Sequence, residues 1–321
     1  MNKTAAILLY ASLGACAQCA LAQNYPNRVI RLVVPSSPGG GTDIIGRIMA
    51  QKLSEQLGQQ VVVENRAGAG TIIGNEAVAK SAPDGYTLLM GLSTLAINPS
   101  MYAKLPYDAL RDFAPISQAV SAPNILTVHP SVPAKTVKEF IVLAKAKPGS
   151  ITFGSAGMGT SPHLSGELLK TLAKIDIVHV PFKGSGQSII SQLAGEIAAN
   201  FPSVPTALPY IKADRLRGLG VTTRKRTQAL PDVPSIAEAG VPGYEATQWF
   251  GVLAPAGTPR AIVERLHQEI IRAVRSAEIK ERIVGEGMEV VASTPEEFAA
   301  YIKSETEKWT KVIKSAGIKP Q

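Results

Sequence analysis

Short apolar runs and amphipathic stretches alternate through the first third of the chain. Residues 29–34, 60–65 and 86–91 are rich in β-branched or apolar side chains and predict buried strands. Apolar residues recur at helical spacing from Ile44 to Leu57, which predicts a helix packed on a sheet. A strand–helix–strand–helix–strand order predicts a parallel sheet with right-handed crossovers.

The same alternation returns in the middle of the chain. Residues 151–153, 177–180 and 197–201 predict a second set of strands, again separated by helical patterns. Extended segments before and after this set predict two crossings between units. The sequence therefore predicts two α/β domains, the second inserted into the first. Their predicted bounds are residues 23–122 with 223–321 for domain 1, and residues 123–222 for domain 2.

Each unit has a glycine-rich turn where its first strand ends. Residues 38–41 (Pro-Gly-Gly-Gly) precede Thr42 and Asp43, which are predicted N-cap residues, and residues 154–160 precede Ser161. Such a turn has two interpretations. It either reverses the chain and has no other role, or it binds an anion, because the first N–H groups of a helix lack intrahelical partners. Two such turns facing each other across a hinge would surround a small anion with backbone donors.

The N-terminus has the pattern of a secretion signal. A basic residue, Lys3, precedes an apolar stretch, and Ala20-Leu21-Ala22 is a small-x-small cleavage site. Residues 1–22 are therefore predicted to be a signal peptide, which places the mature protein in the periplasm. Residues 13–16 also resemble a lipobox, so lipidation at Cys16 is an alternative.

Composition narrows the possible chemistry. Both cysteines, Cys16 and Cys19, lie in the predicted leader, so the mature chain has no predicted disulfide, thiolate nucleophile or cysteine metal site. The formal net charge of +8 is spread along a chain with few aromatic residues, which does not favour nucleic acid as a partner. The basic charge indicates solubility or a mild attraction for anionic ligands.

The order of motifs resembles the solute receptors of tripartite tricarboxylate transporters, the Bug family, over nearly the whole mature chain. The motifs are Pro-Gly-Gly-Gly-Thr-Asp at 38–43, Val-Glu-Asn-Arg at 63–66, Gly-Ala-Gly at 68–70, Pro-Asp-Gly-Tyr-Thr-Leu at 83–88, Phe-Gly-Ser-Ala-Gly-Met-Gly-Thr at 153–160 with His-Leu at 163–164, Val-Pro-Phe-Lys-Gly at 180–184, Pro-Asp-Val-Pro at 231–234 and Trp-Phe-Gly at 249–251. This resemblance implies a bilobal, Venus-flytrap fold of two parallel-rich α/β domains joined by a hinge. It also implies a monomeric receptor without catalytic activity, cofactor or metal, which delivers a small carboxylate to a tripartite membrane permease.

The resemblance also implies the ligand contacts. One wall of the cleft would contain Ser37, Pro38, Gly39, Gly40, Thr42 and Asp43. The opposite wall would contain Ser155, Ala156, Gly157, Gly159, Thr160 and His163. The flanking contacts would be Ser93, Thr94, Lys183, Gly184 and Ser203. Phe182 replaces a tyrosine found in many relatives, which favours a carboxylate with an apolar or aromatic body over a small polar ligand.

Several of these residues also have structural interpretations. In these structural interpretations, Asp43 is a helix cap without ligand contact, His163 makes a structural hydrogen bond, and Lys183 is a solvated loop residue. An exported hydrolase stays an alternative, because Ser155 and His163 could face each other, although no G-x-S-x-G motif or third orienting acid is present. A sensor that presents its ligand to a signalling partner would share the same site.

Overall fold

The computed structural model describes residues 25–285, 287–315, 318 and 320. The predicted signal peptide, its cleavage near Ala22 and the alternative lipidation of Cys16 lie outside the described residues. The strands are β1 (Ile30–Val34), β2 (Val61–Asn65), β3 (Thr87–Leu92), β4 (Phe113–Pro123), β5 (Ile125–Val128), β6 (Thr152–Ser155), β7 (Val178–Pro181), β8 (Ala199–Asn200), β9 (Arg217–Val221), β10 (Thr247–Pro255) and β11 (Glu289–Val290). The helices are α1 (Gly41–Leu57), α2 (Ile72–Ala79), α3 (Thr94–Met101), α4 (Val137–Ala146), α5 (Ser161–Ala173), α6 (Ser185–Leu193), α7 (Val204–Lys212), α8 (Arg260–Arg275), α9 (Ala277–Gly285) and α10 (Pro295–Ser315).

The first sheet has the strand order β11-β4-β10-β3-β1-β2. Strand β1 pairs in parallel with β2 and β3, whereas β10 is antiparallel to β3 and β4. Alternate residues of β1 enter cores on the two faces of the sheet: Leu32 packs in the core that contains α1 and α8, and Val33 packs in the core that contains α2 and α10. Because both faces are covered, the strand is apolar along most of its length, as the sequence pattern predicts.

The second sheet has the order β7-β6-β8-β5-β9. Strand β6 is parallel to β7 and β8, and β5 is antiparallel to β8 and β9. Phe140, Phe153 and Phe201 are fully buried in one of its cores, and Ile189 from α6 lies in the other. This sheet therefore also has a covered, apolar centre.

Both sheets repeat one local arrangement. The first strand of each βαβαβ unit, β1 or β6, lies between the second and third strands of that unit. Helices that leave a central strand in opposite directions open a crevice at its carboxyl end, which is where α/β proteins bind ligands. The two glycine-rich turns follow β1 and β6, so each lies at such a crevice.

The chain crosses between the sheets at Asn124 and again at Thr222. The Asn124 amide donates to Thr222 Oγ1 at 2.9 Å, and the Thr222 amide donates to the Asn124 carbonyl at 2.9 Å. The two crossings therefore run side by side and are hydrogen-bonded. The predicted bilobal α/β fold is confirmed, whereas the exact domain bounds stay a prediction.

The predicted N-cap of the first helix was wrong. Helix α1 begins at Gly41 with Gly40 as its N-cap, and Thr42 and Asp43 lie inside its first turn. Helix α3 continues to Met101, because its apolar residues are buried against α10. Residues 236–240 form turns. Within the described part of the chain, no helix combines the length and apolarity needed to cross a membrane.

Candidate functional site

A cavity of about 540 Å³ lies between residues of the two sheets. The first-sheet side contributes Pro35, Ser36, Gly40, Gly41, Thr42, Gly68, Ala69, Gly70, Thr71, Leu92, Tyr102 and Gln248. The second-sheet side contributes Ala156, Gly157, Met158, Thr160, Pro162, Pro181, Phe182, Lys183, Ser185 and Gln187. This volume fits a small organic molecule.

Three helices begin at the cavity wall. The first residues of α1, α5 and α6 are Gly41, Ser161 and Ser185, and each is a lining residue or the direct neighbour of one. Helix N-termini carry partial positive charge and free N–H groups. Lys183 adds a cation, and no lining residue of the described chain is a carboxylate. The cavity is therefore electrostatically suited to an anion.

Residues 35–40, the first glycine loop, are held by a buried carboxylate. Asp43 Oδ2 accepts from the Gly39 amide at 2.9 Å and from Arg47 Nε at 3.0 Å. Asn65 Nδ2 donates to Asp43 Oδ1 at 2.9 Å and to the Ser36 carbonyl at 3.0 Å. Burial opposes ionisation, but the hydrogen bonds from Arg47, Gly39 and Asn65 hold the pKa of Asp43 below its usual value. Asp43 thus remains charged and fixes the loop.

Residues 155–160, the second glycine loop, are held by neutral groups. Ser155 Oγ lies 2.6 Å from His179 Nε2 and accepts from the Gly157 amide at 3.0 Å. Thr160 Oγ1 donates to the Gly157 carbonyl at 2.7 Å. Ser155 has no exposed surface, so its hydroxyl supports the loop and does not line the cavity.

His163 supports the other end of the second glycine loop. Its Nδ1 accepts from the Gly159 amide at 3.1 Å, and its ring centroid lies 4.1 Å from that of His179. Burial, followed by the charge of Lys170, lowers the pKa of His163 to about 4. Burial, followed by His163 and Lys170, lowers the pKa of His179 to about 3. Glu167 lies 3.9 Å from His163 but forms its ion pair with Lys170 at 3.0 Å. It therefore does not stabilise the protonated form of His163.

Residues 68–71, the left-handed segment, form a third wall that sequence reasoning missed. A Cβ placed on Gly70 would lie 3.0 Å from the Met158 carbonyl oxygen, and one placed on Gly157 would lie 3.8 Å from the Gly70 Cα. The segment therefore approaches the second glycine loop across the cavity. The two glycines at 68 and 70 were the available signal, because glycine permits close backbone contact.

A second contact closes the opposite side of the cleft. A Cβ on Gly184 would lie 2.9 Å from the Ser37 amide nitrogen, and one on Gly186 would overlap the Pro38 carbonyl oxygen. Residues 184–186 therefore pack on the first glycine loop as closely as glycine allows. The sheets are drawn together around the cavity in this structure.

The predicted site residues fall into two groups. Those that line the cavity are Gly40, Thr42, Ala156, Gly157, Thr160 and Lys183. Those that lie outside the lining are Ser37, Pro38, Gly39, Asp43, Ser93, Thr94, Ser155, Gly159, His163, Gly184 and Ser203. Ser93 Oγ accepts from the Trp249 amide at 3.2 Å and Thr94 Oγ1 lies 2.7 Å from Thr71 Oγ1, so both support neighbouring backbone. Ser203 packs against Gly41.

Several lining side chains were not predicted. Ser36, Tyr102 and Gln248 come from three distant parts of the chain, and no local motif marks them. Trp249 is fully buried and packs on Phe298 at 5.3 Å between ring centroids, so it is a core residue.

The structure also bears on the catalytic and metal alternatives. The histidine bonded to Ser155 is His179 and not His163, the residue considered in the sequence. The buried Ser155 hydroxyl is not positioned to reach a molecule in the cavity. Among the residues that the structure describes, no group of three or more His, Cys, Asp and Glu side chains could hold a metal ion.

Comparison with known proteins gives matches over both sheets. Residues 45–318 match the family described as the tripartite tricarboxylate transporter family receptor. Protein BugT of Bordetella pertussis is 36% identical over 324 residues, which cover 99% of each chain.

Two solved structures share the fold at substantial identity. The structure of a periplasmic transporter is 40% identical with a TM-score of 0.90, and the match covers 92% of this chain and 99% of that chain. Rpa4515 of R. palustris, solved with adipate, is 36% identical with a TM-score of 0.90, and the match covers 92% and 100% of the two chains.

Proposed function

The chain belongs to the receptor family of tripartite tricarboxylate transporters, and we propose that it captures a small carboxylate in its cavity and delivers it to a tripartite membrane permease. The observation that carries this proposal is the convergence of three helix N-termini and two glycine loops on a cavity whose described lining residues include no carboxylate. An anionic group placed there would receive backbone hydrogen bonds without a repelling charge.

The ligand has an apolar body. Leu92, Tyr102, Met158 and Phe182 line the cavity together with several prolines, and these side chains offer few hydrogen bonds to a polar ligand. Rpa4515, a similar protein, was solved with adipate, which has two carboxylates separated by a methylene chain. A dicarboxylate of this kind, or a carboxylate with an aromatic body, suits the same combination of polar loops and apolar walls.

The two lobes are the predicted domains, formed by residues 23–122 with 223–321 and by residues 123–222. The crossings at Asn124 and Thr222 form the hinge, since they are the hydrogen-bonded connections between the sheets. The ligand-free receptor opens there and separates Gly186 from Pro38. Ligand binding restores that contact.

The receptor acts in the periplasm as a monomer, after cleavage of its signal peptide near Ala22. Intact mass spectrometry of the exported protein would test the processing, because cleavage at Ala22 and lipidation at Cys16 give different masses. The receptor has no catalytic activity, which is consistent with the burial of Ser155.

Thermal unfolding and calorimetry with a panel of carboxylates would test this function. The panel contains succinate, adipate, suberate, malate and benzoate. We expect at least one compound to raise the Tm, because a ligand at 100 times its Kd stabilises the native state by about 2.7 kcal/mol. Hydrolysis of an ester or amide substrate by the pure protein, without stabilisation by any carboxylate, would contradict the proposal.

A further inference from the structure

The left-handed segment has a backbone conformation that side chains disfavour. Gly68, Ala69, Gly70 and Thr71 have φ values of 133°, 45°, 59° and 80°. Ala69 and Thr71 are not glycines, and Thr71 is β-branched, for which a positive φ is a genuine outlier. Such a conformation persists only where its surroundings hold it.

Two hydrogen bonds reach the segment from helix α3. Thr94 Oγ1 lies 2.7 Å from Thr71 Oγ1, and Asn98 Nδ2 donates to the Gly70 carbonyl at 3.1 Å. Thr94 and Asn98 have no exposed surface. Neither residue lines the cavity, so each reaches the ligand space only through the segment.

The Tyr107 hydroxyl joins these contacts into one network. It accepts from Asn98 Nδ2 at 3.1 Å and from Asn75 Nδ2 at 3.0 Å, and Asn75 Nδ2 also lies 3.3 Å from Thr71 Oγ1. Tyr107 is 5% exposed and also does not line the cavity. A single phenol therefore orients the two amides next to the strained residues.

We infer that Tyr107, Asn98, Asn75 and Thr94 are positioning residues that hold the left-handed segment in its ligand-binding conformation. This inference rests on the proposed receptor function. The segment forms a cavity wall and approaches Gly157 and Met158 of the opposite lobe. If its backbone relaxed to negative φ, both the wall and this closing contact would change. Ligand affinity therefore depends on the hydroxyl of Tyr107, a residue that does not touch the ligand.

The test compares Tyr107→Phe with a matched control, Tyr25→Phe. Both substitutions remove one buried hydroxyl and keep the ring, but the Tyr25 hydroxyl donates to the Gly85 carbonyl at 2.7 Å and lies outside the network. The probe is the panel dicarboxylate that binds the wild-type protein most tightly. We expect Tyr107→Phe to raise the Kd for this probe about tenfold, which corresponds to about 1.4 kcal/mol of binding free energy. Tyr25→Phe should leave the Kd unchanged.

A second pair of variants separates positioning from general stability. Thr94→Val keeps the shape of the side chain and removes its hydroxyl, whereas Thr94→Ser keeps the hydroxyl. We expect Thr94→Val to weaken binding and Thr94→Ser to restore most of the affinity. A Kd in Tyr107→Phe and Thr94→Val equal to that of the wild-type protein would overturn the inference.

Hydrogen exchange of the ligand-free proteins gives an answer even if no panel compound binds the wild-type protein. In that case the proposed function fails, but the positioning role is still measurable. Peptides that cover residues 66–75 should exchange faster in Tyr107→Phe than in Tyr25→Phe, because the strained backbone would open more often. Equal exchange in the two variants would overturn the inference independently.

Discussion

The first glycine loop is fixed by a charged group, whereas the second is fixed by neutral groups. Asp43 holds the first loop by accepting a hydrogen bond from the Gly39 amide, and Arg47 balances the charge of Asp43. Ser155 and His163 hold the second loop by accepting hydrogen bonds from the Gly157 and Gly159 amides. Each loop follows the strand that lies between the other two strands of its βαβαβ unit, and each precedes a helix N-terminus, so the same local arrangement has two different supports.

This difference shows that backbone geometry and its support are separate properties. A glycine turn after the middle strand of a βαβαβ unit gives both lobes an edge that is suited to binding an anion. The support depends on what lies beneath the turn. Asn65 and Arg47 supply donors to a carboxylate in the first lobe, whereas Phe153 packs on His179 in an environment that disfavours charge in the second. The two loops should therefore respond differently to mutation and to pH.

The largest expected effect comes from Gly186→Ala, which tests the closing contact of the first loop. A Cβ at this position would overlap the Pro38 carbonyl, so the lobes could not close around a ligand. Gly186 is in the first turn of α6 without a positive φ, so alanine should not destabilise the helix. Calorimetry should show affinity for the best panel ligand reduced by about a hundredfold or more, or about 2.7 kcal/mol.

Gly285→Ala is the control for that change. Gly285 ends helix α9, and a Cβ there meets no atom within 4 Å. The ligand affinity of the Gly285→Ala variant should equal that of the wild-type protein. Normal binding by Gly186→Ala would show that closure does not require this contact.

Removing the charge beneath the first loop should have the next largest effect. In Asp43→Asn, an amide nitrogen replaces one oxygen that accepts hydrogen bonds, which leaves a buried donor unpaired. The free energy of unfolding should fall by about 1–3 kcal/mol, and ligand binding should weaken about tenfold. Denaturant unfolding and calorimetry would measure both changes, with Asp84→Asn as a control because the Asp84 pair with Arg28 is exposed. Equal losses in the two variants would contradict a special role for Asp43.

As the pH falls, the groups that support the second loop should lose their stabilising contribution before Asp43, which supports the first loop, loses its own. The pKa values of His163 and His179, about 4 and about 3, lie below the ordinary value of 6.5, so the unfolded chain binds more protons between these limits. The stability that the neutral imidazoles provide is therefore complete above pH 6.5 and is lost as the pH falls toward 4 and then 3. The pKa of Asp43 is lowered from 3.8, so its contribution persists until lower pH.

Thermal unfolding at pH 7.5 and pH 5 would measure this difference. We expect the Tm of the wild-type protein to fall, and to fall less in His163→Gln, in which an amide oxygen can accept from the Gly159 amide without titrating. The two proteins differ only at position 163, so every other residue is common to the two measurements. An identical pH dependence in both proteins would refute the role of His163.

The smallest effect is expected from Lys183→Met. Lys183 is exposed at the cavity rim, so water and salt screen its charge, and the proposed site offers an anion mainly backbone donors. Affinity at low ionic strength should fall only about threefold, and the difference should vanish at high salt. A loss of affinity as large as that of Gly186→Ala would instead show that the Lys183 cation, and not the backbone of the two loops, dominates ligand binding.

The sequence predicted the glycine loops well because their signals are local. Residues 38–41 follow an apolar strand directly, and residues 154–160 do the same, so strand, turn and helix can be inferred within one short window. The supporting residues were predicted less well. Ser155 was considered with His163, but it bonds to His179, which is 24 residues away along the chain. Ser93 and Thr94 support backbone behind the cavity wall, and their contact with ligand stays a prediction.

The amino-acid sequence by itself determined the two α/β units, their insertion order and the glycine turns at the ends of β1 and β6. These features depend on periodicity and on backbone freedom, which are properties of neighbouring residues. Only the tertiary structure decided which side chains stand beneath each turn and which segments complete the cavity. The Asn75–Tyr107 contact joins residues 32 positions apart, and Gln248 reaches the cavity from β10. Such contacts follow from how the sheets pack, because packing brings together residues that no local pattern relates.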